Sequence, residues 1–112
     1  MSFISFRAGS GSYQAARPLL VNPSSVPSNT VSVETFSVAQ ANIAASGGSI
    51  ADLTTDSLVD ANWAAPKAAS LVGLTVIGST ISATGELQLT TFNPTGSTIT
   101  PAAGVQLNVL VY

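Results

Sequence analysis

The sequence predicts an all-β protein, a small antiparallel β-sandwich or jelly-roll-like domain preceded by an extended N-terminal arm. Two observations carry this prediction. Apolar and polar residues alternate with a period of two near the end of the chain, which is typical of a strand with one buried face. No stretch shows helical periodicity, and glycine- and proline-rich turns separate the apolar runs instead. The alternating apolar residues of the last run are Val105, Leu107, Val109 and Val111.

Three strands are predicted within residues 71–112. In the middle one, Leu87 and Leu89 alternate with polar neighbours, and the segment 92–97 (FNPTGS) that follows has the composition of a type I turn. Residues 74–81 are β-branched and apolar on both faces, which favours an interior strand. We expect one shared core for these strands, containing Leu87, Leu89, Leu107, Val109 and Val111.

The preceding part of the domain has weaker signals. Val31, Val33, Phe36 and Val38 indicate a strand whose alternation slips at Glu34, as at a bulge or bend. Residues 39–49 fit either a long loop or one short helical turn, and residues 54–61 fit a modest strand. Five or six strands are therefore expected in a domain spanning residues 31–112.

Residues 1–30 are predicted to be an arm that binds other chains. They hold two of the three basic residues and no acidic residue, and prolines 18, 23 and 27 interrupt any regular ladder. A solvated tail would be polar, whereas this segment carries large apolar side chains. The expected partner-binding residues, with both arginines facing acidic groups, are Phe3, Ile4, Phe6, Arg7, Tyr13, Arg17, Leu19, Leu20 and Val21.

The composition excludes several classes of function. Charged residues make up 7% of the chain against about 25% in ordinary proteins, and the few basic residues are scattered, so nucleic-acid binding is not expected. A weakly charged surface gives a free monomer little protection against association, which favours a protein that functions within an assembly. The sequence shows neither a membrane-span run nor a secretory signal, so synthesis in a host cytoplasm and use without secretion are expected.

Few residues are candidates for chemistry. Without histidine or cysteine, a serine nucleophile would need Lys67 or a carboxylate as its base, and no Ser-x-x-Lys spacing occurs, so an enzyme is not expected. Asp52, Asp56 and Asp60 recur every four residues but lack the spacing of a calcium loop, and they are interpreted as solvated carboxylates. No metal or cofactor is predicted.

Two aromatic residues are candidates for surface recognition. Trp63 could either complete the core or stack on a sugar or a partner side chain. Tyr112, at the end of an outward-alternating set, is interpreted as an interface or rim residue.

Several segments resemble small β-sandwich structural proteins of tailed bacteriophage particles. They are 32–38 (SVETFSV), 73–83 (GLTVIGSTISA), 87–96 (LQLTTFNPTG), 99–101 (ITP) and 109–112 (VLVY). The resemblance covers about residues 30–112 and departs from the group's pattern at residues 49–66. It implies a virion component on the capsid surface, with the major capsid protein and other copies of itself as partners.

Three hypotheses follow. The first is a capsid cement, or decoration, protein that forms a homo-oligomer on the capsid lattice, where its arm threads between coat subunits. The second is a tail, knob or receptor-binding module that recognises carbohydrate through Trp63 and Tyr112. The third is a fibre subunit completed by strand exchange through the arm, against which the absent secretory signal argues.

Overall fold

A computed structural model describes residues 15–44 and 47–112 of the chain, which form two three-stranded antiparallel sheets. The strands are β1 (Ala15–Val21), β2 (Thr30–Phe36), β3 (Val59–Trp63), β4 (Thr75–Ala83), β5 (Glu86–Asn93) and β6 (Val105–Val111). Two single-turn 3₁₀ helices, Val38–Gln40 and Ala69–Leu71, lie in the connections. The prediction of a small all-β sandwich is confirmed.

The first sheet has the order β1-β6-β3 and the second has the order β2-β5-β4. The alternation in β5 and β6 directs one side chain in two into the space between the sheets. Leu87, Leu89, Leu107 and Val109 are buried together there, as predicted, whereas Val111 is only partly buried at the end of its strand.

The predicted arm is wrong for its second half. Residues 15–21 form β1, which pairs with β6 along its whole length, and Leu19 and Val21 are fully buried in the chain's own core. The sandwich therefore begins at Ala15 within the described residues, and not at residue 31.

Pro18 does not interrupt this strand because of the direction in which its backbone points. The carbonyls of Pro18 and Leu20 accept hydrogen bonds from Gly48 and Ala44, each at 2.7 Å, so these residues face away from β6. The N–H that proline lacks would have pointed to that same side, and the ladder with β6 loses no bond. The loop that covers this edge approaches so closely that a Cβ on Gly48 would lie 2.3 Å from the Pro18 oxygen.

Three strand predictions need correction in their details. β2 keeps a continuous register with β5, so there is no slip at Glu34, and the register shifts lie in β4 instead. β4 is an edge strand of its sheet and leaves Ile77 exposed, although its composition predicted an interior strand. β3 begins later than predicted and includes Trp63. The described residues of the 39–49 segment combine the two alternatives, since a 3₁₀ turn leads into the loop along β1.

The edges of β3 and β4 meet on one side of the sandwich. The backbone N–H of Ala61 in β3 donates to the hydroxyl of Ser79 in β4 at 3.1 Å. This contact joins the two sheets, so neither of these edges is open to solvent at that point. Within the described residues, no helix has the length and apolarity needed to cross a membrane.

Candidate interaction surfaces

The outward side of the second sheet is uncharged and carries several exposed apolar side chains. In register, Val31 of β2 lies beside Phe92 of β5, and Val33 lies beside Thr90. Val31 and Val33 keep 55% and 59% of their surface exposed, and Ile77 on β4 keeps 56%. We call this surface the neutral face, and its side chains are Val31, Val33, Thr35, Thr75, Ile77, Thr80, Gln88, Thr90 and Phe92.

No side chain of the neutral face carries an ionisable group, and Glu86 lies beyond its last row at the start of β5. Exposed apolar patches of this kind mark contact surfaces, and the centres of protein interfaces are depleted of charge. Sequence reasoning missed this face because it attributed the irregular spacing of Val31, Val33 and Phe36 to a slip at Glu34. Their spacing places Phe36 on the opposite side of the strand from both valines, and that spacing was the signal that could have revealed it.

The free edge of β2 borders the neutral face. The Asn42 side chain caps part of this edge, because its Nδ2 donates to the Thr35 carbonyl at 2.6 Å and its Oδ1 accepts from the Ser37 N–H at 2.8 Å. Asn42 does not belong to β5, so Thr35 and Ser37 direct these backbone groups away from that strand. Sequence reasoning did not identify this cap.

The outward side of the first sheet is polar by comparison. Asn62 of β3 lies opposite Asn108 of β6, and Asp60 lies opposite Leu110. These side chains line a shallow groove of about 380 Å³, in which Gln106 donates to the Asn108 side chain at 3.2 Å. Amide and carboxylate groups of this kind can hydrogen-bond to hydroxyl groups of a ligand.

Tyr112 lies next to this groove. Its N–H donates to the Leu58 carbonyl at 3.0 Å, and both side chains are exposed on the outward side of the first sheet. The prediction that Tyr112 is a surface residue agrees with its 56% exposure. Whether it recognises a partner stays a prediction.

Trp63 is a largely buried residue, with 9% of its surface exposed, that also lines part of the groove. It belongs to the hydrophobic core, and its Nε1–H donates to the Leu74 carbonyl at 3.2 Å. The Lys67 ammonium donates to the same carbonyl at 2.8 Å. Burial of the ring with a partner for its polar atom is the usual state of a core tryptophan, so of the two alternatives the core role is correct.

No family model, no curated protein and no solved structure matches the chain.

The predicted arm residues divide into three groups. Leu19 and Val21 pack inside the sandwich, and Leu20 is half-buried against the loop along β1, so none of the three is available as an arm contact. Arg17 binds an acidic group of its own chain. The remaining members, Phe3, Ile4, Phe6, Arg7 and Tyr13, lie outside the described residues.

Arg17 and Asp52 form a bidentate ion pair. Nη1 and Nη2 of the guanidinium donate to the two carboxylate oxygens at 2.6 and 3.1 Å. The hydrogen bond from Arg17 lowers the pKa of Asp52 below its usual value, and the same bond raises the pKa of Arg17. The prediction that Arg17 would face an acidic group on another chain is therefore wrong.

The acidic residues do not assemble into a metal site. Within the described ranges, no three carboxylates come close enough to share an ion. A cleft of about 250 Å³ lies between the 37–51 region and the β4–β5 turn, and Glu86 is the ionisable group among the described residues that line it. One carboxylate without a second acid or base nearby does not make a general acid–base pair.

Proposed function

We propose that the chain is a virion structural protein, a capsid cement protein that stabilises a phage head by bridging neighbouring major capsid subunits. It acts without catalysis, through protein–protein contacts repeated over the capsid lattice. The neutral face is the observation that carries this proposal.

The physical argument starts from the cost of burying charge. A charged group that loses its water without finding a partner destabilises an interface by several kcal/mol. Removal of one partner from a buried ion pair, which leaves the other charge unpaired, costs about 3–5 kcal/mol. The neutral face can be covered by another protein without this cost, because its side chains are valine, isoleucine, phenylalanine, glutamine and threonine. Its threonine hydroxyls can still donate and accept hydrogen bonds across the contact.

The fold supports the same role. A cement protein has to keep its shape while its contacts hold the particle together, and this sandwich is tied across both sides by Ala61–Ser79 and by the loop along β1. In the proposal, the sandwich seats its neutral face on the coat. Residues 1–14 stay the predicted second contact of each copy.

Addition of purified protein to particles that lack it tests the proposal. Thr90 sits mid-strand in β5, at the middle of the neutral face, and Asn108 holds the corresponding place in β6 on the opposite side of the molecule. Both side chains are partly exposed. Thr90→Lys and Thr90→Glu should each lower occupancy at least tenfold, because either charge loses its water when the neutral face is covered. Where the coat surface is itself charged, the variant of the same sign is also repelled.

The matched controls are Asn108→Lys and Asn108→Glu, which should occupy particles as the unchanged protein does. Equal occupancy for the Thr90 and Asn108 variants would exclude the neutral face as the contact. Failure of the unchanged protein to bind particles or to raise their heat resistance would reject the cement role itself.

A carbohydrate-binding role is the second candidate, and the groove beside Tyr112 favours it. The Tyr112 ring could stack on a sugar while Asn62 and Asn108 bind its hydroxyls. Glycan-array binding by the isolated protein, lost in Tyr112→Ala and kept in Tyr112→Phe, would support this role. Trp63→Ala is unsuitable for that test because Trp63 is part of the core.

A further inference from the structure

The edge of β2 has backbone groups that no described residue satisfies. Thr35 and Ser37 direct their groups away from β5, as their contacts with Asn42 establish, and the register of β2 with β5 has no shift. Residues two apart in a strand direct their N–H and C=O groups to the same side. The amides and carbonyls of Val31 and Val33 therefore also point to the free edge, where no hydrogen bond joins them to the described residues.

This edge lacks the protection that other edges of the molecule have. Natural proteins protect edge strands with proline, lysine, bulges or a covering segment. β1 carries Pro18 and a covering loop, and β3 and β4 face each other. Between Val31 and Val33 the described residues supply none of these devices, and both flanking side chains are apolar and exposed.

We infer that β2 pairs with β2 of a second copy, antiparallel and centred on Ser32, so that two three-stranded sheets join into one of six strands. In this register Val31 of each copy lies opposite Val33 of the other. The two resulting pairs contain four N–H···O=C bonds, made by the groups that have no partner among the described residues. Valines directly opposite each other also pack well across strands.

The occupant is a second copy because the edge is complementary to itself. The only ionisable side chain within β2 is Glu34. In the register centred on Ser32 it lies opposite Thr30 of the other copy, so no like charges meet. A register centred on Val33 would place Val31 opposite Thr35, whose carbonyl already accepts from Asn42. The cap thus disfavours the register centred on Val33.

The pairing is a property of the chain itself and is independent of the proposed capsid role. It also gives that role a geometry, because the neutral faces of two copies would become one continuous surface. If the protein pairs but does not bind particles, the capsid role alone is rejected. If it binds particles but does not pair, the pairing alone is rejected.

Charge substitutions in the full-length protein test the pairing by sedimentation equilibrium. The unchanged chain should show a dimer fraction that rises with concentration. Val31→Lys with Val33→Lys places like charges opposite each other and should reduce dimerisation at least tenfold. Val31→Lys with Val33→Glu places Lys opposite Glu and should retain the dimer. Circular dichroism must show the same β-structure in all three proteins.

Cysteine cross-linking tests the register. The chain has no cysteine, and Ser32 is the residue that would lie directly opposite itself, at a separation that suits a disulfide. Ser32→Cys should form a disulfide-linked dimer under mild oxidation much faster than Val33→Cys, whose copies would lie diagonally at about 7–8 Å. The pairing is overturned if the protein is a monomer at every concentration and Ser32→Cys cross-links no faster than Val33→Cys. The register is overturned if the two charge variants dissociate equally.

Discussion

Asn93 is predicted to be the polar residue on which the fold most depends. It is fully buried at the end of β5, and its Nδ2, which has two hydrogens to donate, lies 2.9, 3.2 and 2.8 Å from the carbonyl oxygens of Val26, Pro27 and Ser97. Its Oδ1 accepts from the N–H and the hydroxyl of Thr95 at 2.9 and 2.6 Å. One side chain thus ties the β1–β2 connection to the turn after β5.

Replacement of Asn93 by alanine removes these hydrogen bonds and leaves the backbone and hydroxyl groups that made them without this partner. A buried polar group without a partner costs about 1–3 kcal/mol, and water can reach some of the groups that are only partly buried. Asn93→Ala should therefore lower the free energy of unfolding by about 2–4 kcal/mol, a large fraction of the roughly 5–15 kcal/mol typical of a domain.

Asn93→Asp keeps the shape of the side chain and adds a pH dependence. An ionised carboxylate would face three carbonyl oxygens, so the pKa of this aspartate should be higher in the folded than in the unfolded protein. Stability should then be greatest below about pH 4, the unfolded value, and fall as the pH rises, by at most about 1.4 kcal/mol per pH unit until the folded pKa is passed.

Urea unfolding followed by the fluorescence of Trp63, the single tryptophan, measures both effects. Asn108→Asp is the matched control, since Asn108 is partly exposed on the outward side of the first sheet and should change stability little. A free energy of unfolding for Asn93→Ala within about 0.5 kcal/mol of the unchanged protein would refute the reasoning. A flat pH profile for Asn93→Asp would refute it equally.

Three further predictions concern the strands and the ion pair. A chain that begins at Ala15 should fold cooperatively, whereas one that begins at Thr30 should not, because it lacks β1. The lost strand contains two fully buried side chains, Leu19 and Val21, whose burial contributes about 1.5–3 kcal/mol each. Thermal melts distinguish the two chains. Removal of residues 105–112 deletes the central strand of the first sheet and should abolish folding, so a soluble product with an unchanged melt would contradict the strand assignment. Because Arg17 lowers the pKa of Asp52, the pair should stabilise the fold above about pH 4 and lose this effect as the pH falls, so the stability difference from Asp52→Asn should shrink in acid.

The period-2 patterns of β5 and β6 were sufficient to predict their strands and their buried residues, apart from Val111, which is only partly buried. The same pattern in β2 did not reveal which side of the strand faces the core, because alternation is symmetric until a partner sheet is known. The change of side between Val33 and Phe36 was therefore interpreted as a slip at Glu34.

The arm was mispredicted because a proline excludes an interior strand but is compatible with an edge strand. An interior strand has a partner on each side, so Pro18 would remove a ladder hydrogen bond there whichever way it faced, but β1 is an edge strand and the missing N–H faces away from β6. Only the tertiary pairing distinguishes these cases. Asn93 was recognised as a turn residue, whereas its bonds to Val26 and Pro27, distant in sequence, left no local signal.

A cryo-electron microscopy reconstruction of the particle, with this protein labelled, tests the capsid role most directly. The account predicts six-stranded density over the joints between coat subunits, with the neutral face turned toward the coat and the groove beside Tyr112 turned outward. Heads that lack the protein, or density that turns Val31, Val33 and Phe92 toward solvent, would contradict it.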